Sequence, residues 1–315
     1  MNPTTSLVAG LSVSPICMGL GGIGSSLRGG DAQRLMDLFA SQGGNFFDTA
    51  HCYAFWVPGC LGNSEHELGD FIRRAGRKSV VISTKGGHPA NAAGYPRPDN
   101  YLDRAVVARD LDESLERLGV DSIDLYYLHR DDPRLPVGEI VDMLNVEVAH
   151  GRIRNLGASN WPAERIALAN AYAARSGKRP FVVSQPQWNL AEPNPSPDPT
   201  MRFLNSADRA WHAQSRLTVM PYTPTASGFF ASGGAKGGGF DNSVSRARLV
   251  RVEQLAAELN CSANQIALAW LMHQPFPVIP ITGTVSPEHL CDAVGACNVA
   301  LTAEQVVWLE NGRAS

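Results

Sequence analysis

The sequence has few of the features that mark membrane or nucleic-acid-binding proteins. Its 27 lysine and arginine residues are balanced by 30 aspartate and glutamate residues, so the formal charge is only −3. This charge gives no reason to expect nucleic acid or an anionic membrane as a partner. No apolar run approaches the length of a membrane span. The stretch Met1–Leu11 lacks a basic region followed by an apolar core, so we expect no secretory signal.

Cysteine is scarce and scattered. The six cysteines form no Cys-x-x-Cys pair, so we expect neither disulfides nor a zinc site, and a reducing cytoplasm is the simplest compartment. Cys52 and Cys60 lie close to His51 in the sequence and together could bind a metal. No fourth ligand stands at a recognisable spacing, however, and we therefore predict no metal.

The length and composition allow one large core. The chain has 315 residues, of which 44% are hydrophobic and 18% charged, as in an ordinary globular protein. An α/β barrel commonly reaches this length as a single unit, and no second domain or internal repeat is apparent. We predict one barrel domain over residues 1–315.

Apolar, β-branched runs alternate with longer stretches of helical periodicity. The predicted strands are Ile16–Leu20, Asn45–Asp48, Val80–Thr84, Ile123–His129, Ile153–Ala158, Phe181–Gln185, Thr218–Tyr222 and Val278–Thr282. The predicted helices are Asp31–Ser41, Ser64–Ala75, Asp103–Leu118, Gly138–His150, Pro162–Arg175, Met201–Ser215, Ser262–Gln274 and Pro287–Ala296. Eight strands that each precede a helix predict a closed parallel (β/α)8 TIM barrel, because every parallel return requires a crossover.

A doubly wound open sheet is the main alternative architecture. It requires a Gly-x-Gly-x-x-Gly turn after the first strand and an acidic residue about twenty positions further on. Gly19, Gly21 and Gly24 satisfy the first requirement, but no strand that ends in Asp or Glu follows at that distance. The barrel is therefore favoured.

Three segments interrupt the alternation and are predicted to be loops. They are Gly86–Asn100, Ala191–Pro199 and Gly228–Asn242, the last of which contains Lys236. Each follows a predicted strand, so in a barrel each lies on the face that carries the site and is either a plain linker or a lid.

Ionisable side chains stand at the ends of three predicted strands. Asp48 ends one strand with Tyr53 five residues beyond it, and Lys85 and His129 end two others. A phenol with a pKa near 10 is a poor acid at neutral pH, and a nearby ammonium lowers that pKa. We therefore expect Asp48 to anchor Lys85, and Lys85 to tune Tyr53 as a proton donor. His129 is expected to orient a substrate carbonyl through a hydrogen bond.

At these residues the chain resembles the aldo-keto reductase family. The resemblance rests on four motifs and spans nearly the whole chain. They are Phe47-Asp48-Thr49-Ala50-x-x-Tyr53 with Ser64-Glu65 and Leu68-Gly69, Ser83-Thr84-Lys85, Leu128-His129, and Gly157-Ala158-Ser159-Asn160. It implies a (β/α)8 barrel, hydride transfer from a nicotinamide to a carbonyl, and Asp48, Tyr53, Lys85 and His129 as catalytic residues.

The resemblance also implies a nicotinamide site. Ser159, Asn160 and Gln185 would bind the carboxamide, and Tyr222 would stack beneath the ring. These roles fit the residue types, since an amide needs donors and acceptors and a planar ring needs an aromatic floor. Ordinary packing inside the barrel is the alternative for Gln185 and Tyr222. Gly21 is a further cofactor-binding candidate.

The segment Ile281–His289 departs from the family pattern. NADP-selective members typically have a Lys and an Arg here, whereas the matching positions are Gly283 and His289. An Arg fork is permanently charged and His is largely neutral at pH 7, so NADP(H) is retained as the expected cofactor with NAD(H) as a serious alternative. Thr284 and the start of the helix at Pro287 could still hold a phosphate. Asp292 matches a carboxylate that contacts the adenosine.

The substrate is expected to be a small carbonyl compound. His51, Trp56, Arg130 and Trp161 are the predicted substrate-binding residues. Aromatic rings mixed with hydrogen-bonding groups favour a sugar or polyol carbonyl over a steroid or a plain aryl aldehyde.

Two other functions are compatible with parts of the pattern. One is a nicotinamide-binding regulatory subunit without physiological turnover, against which stands the lack of a visible oligomerisation helix. The other is a metal-dependent barrel hydrolase, which would require a His-x-His motif at a strand end, and the sequence has none there. The sequence leaves the oligomeric state and the reaction direction open.

Overall fold

Eight parallel strands form one continuous sheet in the computed structural model, which describes residues 6–90, 94–196 and 198–312. An antiparallel hairpin of two further strands precedes them. In chain order the strands are β1 (Ser6–Val8), β2 (Leu11–Val13), β3 (Cys17–Gly19), β4 (Phe46–Asp48), β5 (Val81–Gly86), β6 (Leu125–Leu128), β7 (Leu156–Ser159), β8 (Phe181–Gln185), β9 (Thr218–Val219) and β10 (Ile281–Gly283).

The sheet closes on itself as a barrel. Its strand order is β10-β3-β4-β5-β6-β7-β8-β9, with every neighbouring pair parallel. The open side is closed by the segment that leads into β10. Ile279 N donates to the carbonyl of Val219 at 2.9 Å, and Ile281 N donates to that of Pro221 at 2.9 Å. The predicted (β/α)8 architecture is thereby confirmed.

Helices follow the strands around the outside of the barrel. In chain order they are α1 (Gly29–Ser41), α2 (Asn63–Ala75), α3 (Arg104–Leu118), α4 (Val137–Ala149), α5 (Ala163–Arg175), α6 (Ser206–Ser215), α7 (Ser243–Leu259), α8 (Ala263–Met272), α9 (Pro287–Gly295) and α10 (Ala303–Asn311). Among the described residues no helix is long and apolar enough to cross a membrane.

The sequence-based prediction missed α7, α10 and the β1–β2 hairpin, and it began α6 too early. The α6 helix starts after Asn205, whose side chain caps it by accepting from the Asp208 backbone N–H at 2.9 Å. The preceding residues instead pair with Gln187, which donates to the Arg202 carbonyl at 2.8 Å and accepts from Leu204 N at 3.0 Å. Their backbone groups are thus committed outside the helix.

The strand faces separate two layers of the core. Outward-facing residues such as Met18, Phe47 and Ile82 pack against the helices in one buried cluster. Residues inside the barrel form another cluster, which includes Phe46 and Leu125 at the first positions of their strands together with Val8 and Val13 of the hairpin. The hairpin therefore covers the N-terminal end of the barrel, and the opposite end is left for the site.

Apart from Gly86, which ends β5, the described residues of the three predicted loops lie outside strands and α-helices. Within Gly86–Asn100, residues 91–93 lie outside the described part of the chain, as does residue 197 within Ala191–Pro199. The segment Gly228–Asn242 contains a short 3₁₀ turn at Gly238–Phe240. Its phenylalanines at positions 229, 230 and 240 are buried.

Candidate active site

Asp48 and Lys85 form a buried ion pair at the C-terminal end of the barrel. Asp48 ends β4, and Ser83 and Lys85 lie on the same face of the adjacent strand β5, because strand side chains alternate. Lys85 Nζ donates to Asp48 Oδ2 at 2.5 Å and to the carbonyl of Thr49 at 2.7 Å, while Ser83 Oγ donates to Asp48 Oδ1 at 2.7 Å. Such added hydrogen bonds are what a buried ion pair needs to offset desolvation.

Tyr53 is brought to the same ammonium by a tight turn after β4. Its backbone N–H donates to the carbonyl of Ala50 at 3.0 Å, and its hydroxyl oxygen accepts from Lys85 Nζ at 3.2 Å. An ammonium can only donate hydrogen bonds. The phenolic hydrogen of Tyr53 therefore remains free to be donated to another acceptor.

The net effect on the Tyr53 pKa differs from the sequence-based expectation. Burial raises the pKa of Tyr53 above its usual value, and the opposing effect of the Lys85 charge only partly offsets this. Burial lowers the pKa of Lys85, but the charges of Asp48 and Tyr53 and the hydrogen bonds to both residues together outweigh it, so the net pKa is raised. At neutral pH the pair of groups is thus a protonated phenol beside a firmly charged ammonium.

His129 stands beside Tyr53 and is held by contacts of both its backbone and its ring. Its backbone N–H donates to the carbonyl of Gly86 at 2.8 Å, and its ring meets the Tyr53 ring edge-on with centroids 6.0 Å apart. Cys52 Sγ lies 3.6 Å from His129 Nδ1, and the His88 ring stands perpendicular at 4.7 Å. Burial and then the charge of His88 lower the pKa of His129 well below its usual value. His129 is therefore neutral at physiological pH.

These groups open onto a cavity of about 340 Å³ at the barrel mouth. Most of the predicted site residues line it. They are Gly21, Asp48, Tyr53, Trp56, His129, Arg130, Ser159, Asn160, Gln185, Tyr222 and Gly283, joined by Cys52, Phe55, His88, Met201 and Thr223 among others. Lys85 does not line this cavity. It lies beneath it, 1% exposed, between Asp48 and Tyr53.

Three amide and hydroxyl side chains lie together at the ends of β7 and β8. Ser159 Oγ donates to the Gln185 carbonyl at 3.1 Å, and Gln185 Nε2 donates to Asp48 Oδ1 at 3.1 Å. Asn160 accepts from the Tyr222 hydroxyl at 2.7 Å and donates to Ser159 Oγ at 3.1 Å. The ring of Tyr222 is thus fixed beside a set of donors and acceptors that suits a carboxamide.

Asn160 has a backbone conformation that few other residues adopt easily. Its φ is 60°, in the left-handed region where Asn is tolerated because its short polar side chain can bond locally. Its amide also donates to the carbonyl of His129 at 3.2 Å. Asn160 therefore ties the end of β7 to the segment that carries His129.

A second cavity, of about 320 Å³, shares the lining residue Gly283 with the first. Thr284, His289 and Asp292 line it, so the predicted cofactor residues of the last strand and α9 lie together here. Asp292 Oδ2 accepts from Asn264 Nδ2 at 2.8 Å. Ser232 and the exposed Lys236, from the segment Gly228–Asn242, also line it.

Two predicted substrate residues lie away from the first cavity. His51 is buried, with Nδ1 3.0 Å from the Tyr95 hydroxyl and Nε2 2.8 Å from Glu113 Oε2 on α3. Trp161 packs against the Phe181 ring at 5.2 Å and lies under the guanidinium of Arg165. Both are turned toward the outer helices. Each follows a strand end, where sequence alone does not fix the direction of the side chain.

Several lining residues had no clear sequence signal. Met201 and Thr223 reach the first cavity from loops, and Asn264 reaches the second from the first turn of α8. Cys52 was considered only as a partner of Cys60, yet it lines the first cavity, whereas Cys60 Sγ contacts the carbonyl of Pro58. The position of Cys52 directly before Tyr53 was the one available hint.

The fold defines a (β/α)8 barrel protein whose polar groups converge at the C-terminal ends of the strands, where such barrels carry their chemistry. The Aldo/keto reductase family profile matches residues 15–311, and the chain therefore belongs to this family. It is an enzyme, an oxidoreductase of a family that acts on small-molecule carbonyl compounds with NAD(P)H.

Several curated proteins are similar over most of the chain. An aryl-alcohol dehydrogenase of Pestalotiopsis microspora is 29% identical, over 96% of this chain and 80% of the relative. A norsolorinic acid reductase of Aspergillus flavus is 30% identical, over 95% of this chain and 77% of the relative. An uncharacterized oxidoreductase of Bacillus subtilis is 29% identical, over 94% of this chain and 90% of the relative.

Proposed function

We propose that the protein reduces an aldehyde or ketone to an alcohol, with Tyr53 as the proton donor. The observation that carries this proposal is the position of Lys85 Nζ, which donates to Asp48 Oδ2 at 2.5 Å and to the Tyr53 hydroxyl at 3.2 Å. A fixed ammonium on the oxygen of a phenol whose hydrogen is free is an arrangement suited to donating a proton.

The chain's own residues would move the proton and position the carbonyl. The Tyr53 O–H bond breaks as its proton passes to the carbonyl oxygen, and Lys85 stabilises the phenolate left behind. Asp48 and the Thr49 carbonyl hold Lys85 in place. His129, neutral and beside Tyr53, would donate a second hydrogen bond to the same oxygen. A bound nicotinamide would supply the hydride that completes the reduction.

The cavity residues fit a nicotinamide nucleotide. Ser159, Asn160 and Gln185 would hold the carboxamide, and Tyr222 would lie against the ring. The hydrogen bonds among these side chains hold donors and acceptors at the cavity wall, which supports this role. Gly21 would allow close approach, since a Cβ built there meets no atom within 4 Å.

NADP(H) is proposed as the preferred nucleotide, and NAD(H) is the alternative. The exposed Lys236 could supply the positive charge that Gly283 and His289 lack, because it lines the same cavity. Against it, Glu288 sits at the first turn of α9, where its carboxylate accepts from Ser286 Oγ at 2.7 Å. A carboxylate near a helix N-terminus competes with a phosphate for that site.

An aryl aldehyde or ketone is the first candidate substrate. Trp56 is 45% exposed at the cavity edge, with its ring centroid 6.2 Å from that of Tyr53, and Phe55 lies against it. The names of two relatives, aryl-alcohol dehydrogenase and norsolorinic acid reductase, also favour an aromatic substrate. A sugar or polyol carbonyl remains the second candidate, since His88 and Arg130 add polar groups to the same cavity.

The same proposal assigns the protein to the cytoplasm as a single barrel domain. Its cysteines at positions 17, 52, 60, 261, 291 and 297 are all free, which suits a reducing compartment. No nucleic acid or membrane partner is proposed.

Replacement of Tyr53 tests the proton-donor assignment. Turnover of aryl and sugar aldehydes is measured side by side with NADPH and NADH, in the wild type and in Tyr53→Phe. We expect kcat to fall by about 10²–10⁴-fold in Tyr53→Phe, because general acid catalysis typically contributes that much. Binding of the nicotinamide nucleotide, measured as quenching of tryptophan fluorescence, should be retained.

Tyr172→Phe is the matched control. Its hydroxyl donates to Asp142 at 2.7 Å on the outer helices, so the same chemical change there should leave turnover intact. Near-normal turnover in Tyr53→Phe would refute the assignment. If the wild type turned over none of the carbonyl compounds with either nucleotide, the proposed function itself would be refuted.

A further inference from the structure

Three metal-binding side chains meet on the wall of the first cavity. Cys52, His88 and His129 each place one ligand atom so that the three atoms lie within 4.8 Å of one another. The residues come from three separate segments: the turn after β4, the loop after β5 and the end of β6. Sequence spacing alone could not reveal this cluster.

The separation of Cys52 Sγ and His129 Nδ1 suits a tetrahedral ion. Zinc binds sulfur at about 2.3 Å and imidazole nitrogen at about 2.0–2.1 Å, so two such ligands of a tetrahedral site lie about 3.5 Å apart. Cys52 Sγ and His129 Nδ1 are 3.6 Å apart. The pair therefore needs almost no movement to share an ion.

The tautomer of His88 leaves a nitrogen available for a metal. His88 Nδ1 lies 2.7 Å from the carbonyl oxygen of Pro89, which can only accept. Nδ1 must then carry the hydrogen, so the lone pair is on Nε2. A ligating histidine commonly donates its other N–H to a backbone carbonyl in this way, and such contacts hold the ring in its orientation.

We propose that these three side chains form a binding site for a thiophilic divalent cation such as Zn²⁺. Binding joins the metal to Cys52 Sγ while the thiol proton passes to solvent, and two neutral imidazoles complete the set. Three protein ligands leave a fourth position open toward the cavity. The ion then occupies the space beside Tyr53 and holds His129, so it inhibits turnover in competition with the carbonyl substrate.

Cobalt spectroscopy tests the site without reference to turnover. Co²⁺ added to the purified protein should bind with one equivalent and show a thiolate-to-cobalt charge-transfer band in the near ultraviolet, and Zn²⁺ should abolish the band. Cys52→Ser should lose the band, and His88→Gln should weaken Co²⁺ binding by more than about tenfold, since even outer contacts cost that much. Cys60→Ser, a thiol of the same segment that lies outside the cluster, should bind normally.

The inhibition rests on the proposed function, whereas the spectrum does not. Zn²⁺ should inhibit the wild type, and EDTA should reverse the inhibition. The inhibition constant for Zn²⁺ should rise more than about tenfold in His88→Gln. A wild type without the charge-transfer band, or a band unchanged in Cys52→Ser and His88→Gln, would overturn the proposal. Far-ultraviolet circular dichroism checks that each variant folds. If Cys52→Ser does not fold, the result for His88→Gln decides on the metal site. A wild type that shows the charge-transfer band but turns over no carbonyl compound would instead refute the proposed function.

Discussion

Removal of the Lys85 ammonium should leave Asp48 as an uncompensated buried charge. Asp48 is 2% exposed, and the contacts of its carboxylate are with Ser83, Lys85 and Gln185. Breaking a buried ion pair by removing one partner typically costs about 3–5 kcal/mol, because the remaining charge is desolvated without its partner. We expect the free energy of unfolding of Lys85→Met to fall by that amount.

A double variant that combines Lys85→Met with Asp48→Asn separates the coupling between the two residues from the effect of each one. Asp48→Asn, which preserves shape, should also destabilise, because it leaves the ammonium without its carboxylate. When both charges are removed together, no buried charge is left without its partner, so the loss should not exceed that of one single variant. Urea unfolding followed by fluorescence of the six tryptophans gives the three values, provided that the slopes with denaturant agree.

Lys78→Met is the control for the loss of a lysine near the same strand. Lys78 is exposed in the turn before β5, so its replacement should change stability by no more than about 0.5 kcal/mol. Single losses at Asp48 and Lys85 that simply add within about 0.5 kcal/mol would refute the coupling.

Three further predictions concern other parts of the site and core. Burial lowers the pKa of His88 to about 4, so between that pH and the usual value near 6.5 only the unfolded chain binds the proton, and stability falls as the pH falls. His88→Gln should remove up to about 3 kcal/mol of this loss between pH 7 and pH 4, measured by urea unfolding, and an unchanged pH profile would contradict it. A Cβ at Gly157 would lie 2.4 Å from the Tyr127 ring, so Gly157→Ala should destabilise by about 1–3 kcal/mol, and an unaltered melting temperature would count against this packing. Trp56→Ala should raise KM for an aryl aldehyde by up to about tenfold, since aromatic contacts contribute about 0.5–1.5 kcal/mol, and an equal rise for a small aliphatic aldehyde would exclude stacking.

The barrel was predictable because its strands carry a signal that tertiary contacts do not alter. Buried parallel strands read as short apolar runs, and β5 and β6 are buried on nearly all positions. The α7 helix was missed because its apolar residues are not confined to one face. Leu249 and Val252 are buried, whereas Val244 and Val250 are exposed at 45% and 64%. The contrast between faces that identifies an amphipathic helix is therefore weak.

The site was predictable only where side chains stand on strands. Lys85 and Asp48 meet because strand alternation and parallel register fix where both point. Direction is not fixed in the turns beyond the strand ends, and there the ring of His51 turns to Glu113 on α3, away from the first cavity. The effect of burial on the Tyr53 pKa was also out of reach, since desolvation depends on all the atoms around the phenol.

The hydrogen bond between Gln185 and Asp48 has a consequence for how the catalytic end comes into being during folding. The two residues are 137 positions apart, and their strands meet across the interior of the barrel rather than as neighbours. Contacts of such long range form late, because closing the intervening chain costs entropy before the contact can repay it. The Asp48 carboxylate acquires its full set of partners only when β8 has docked. No N-terminal fragment that ends before β8 can bring the Gln185 amide to Asp48.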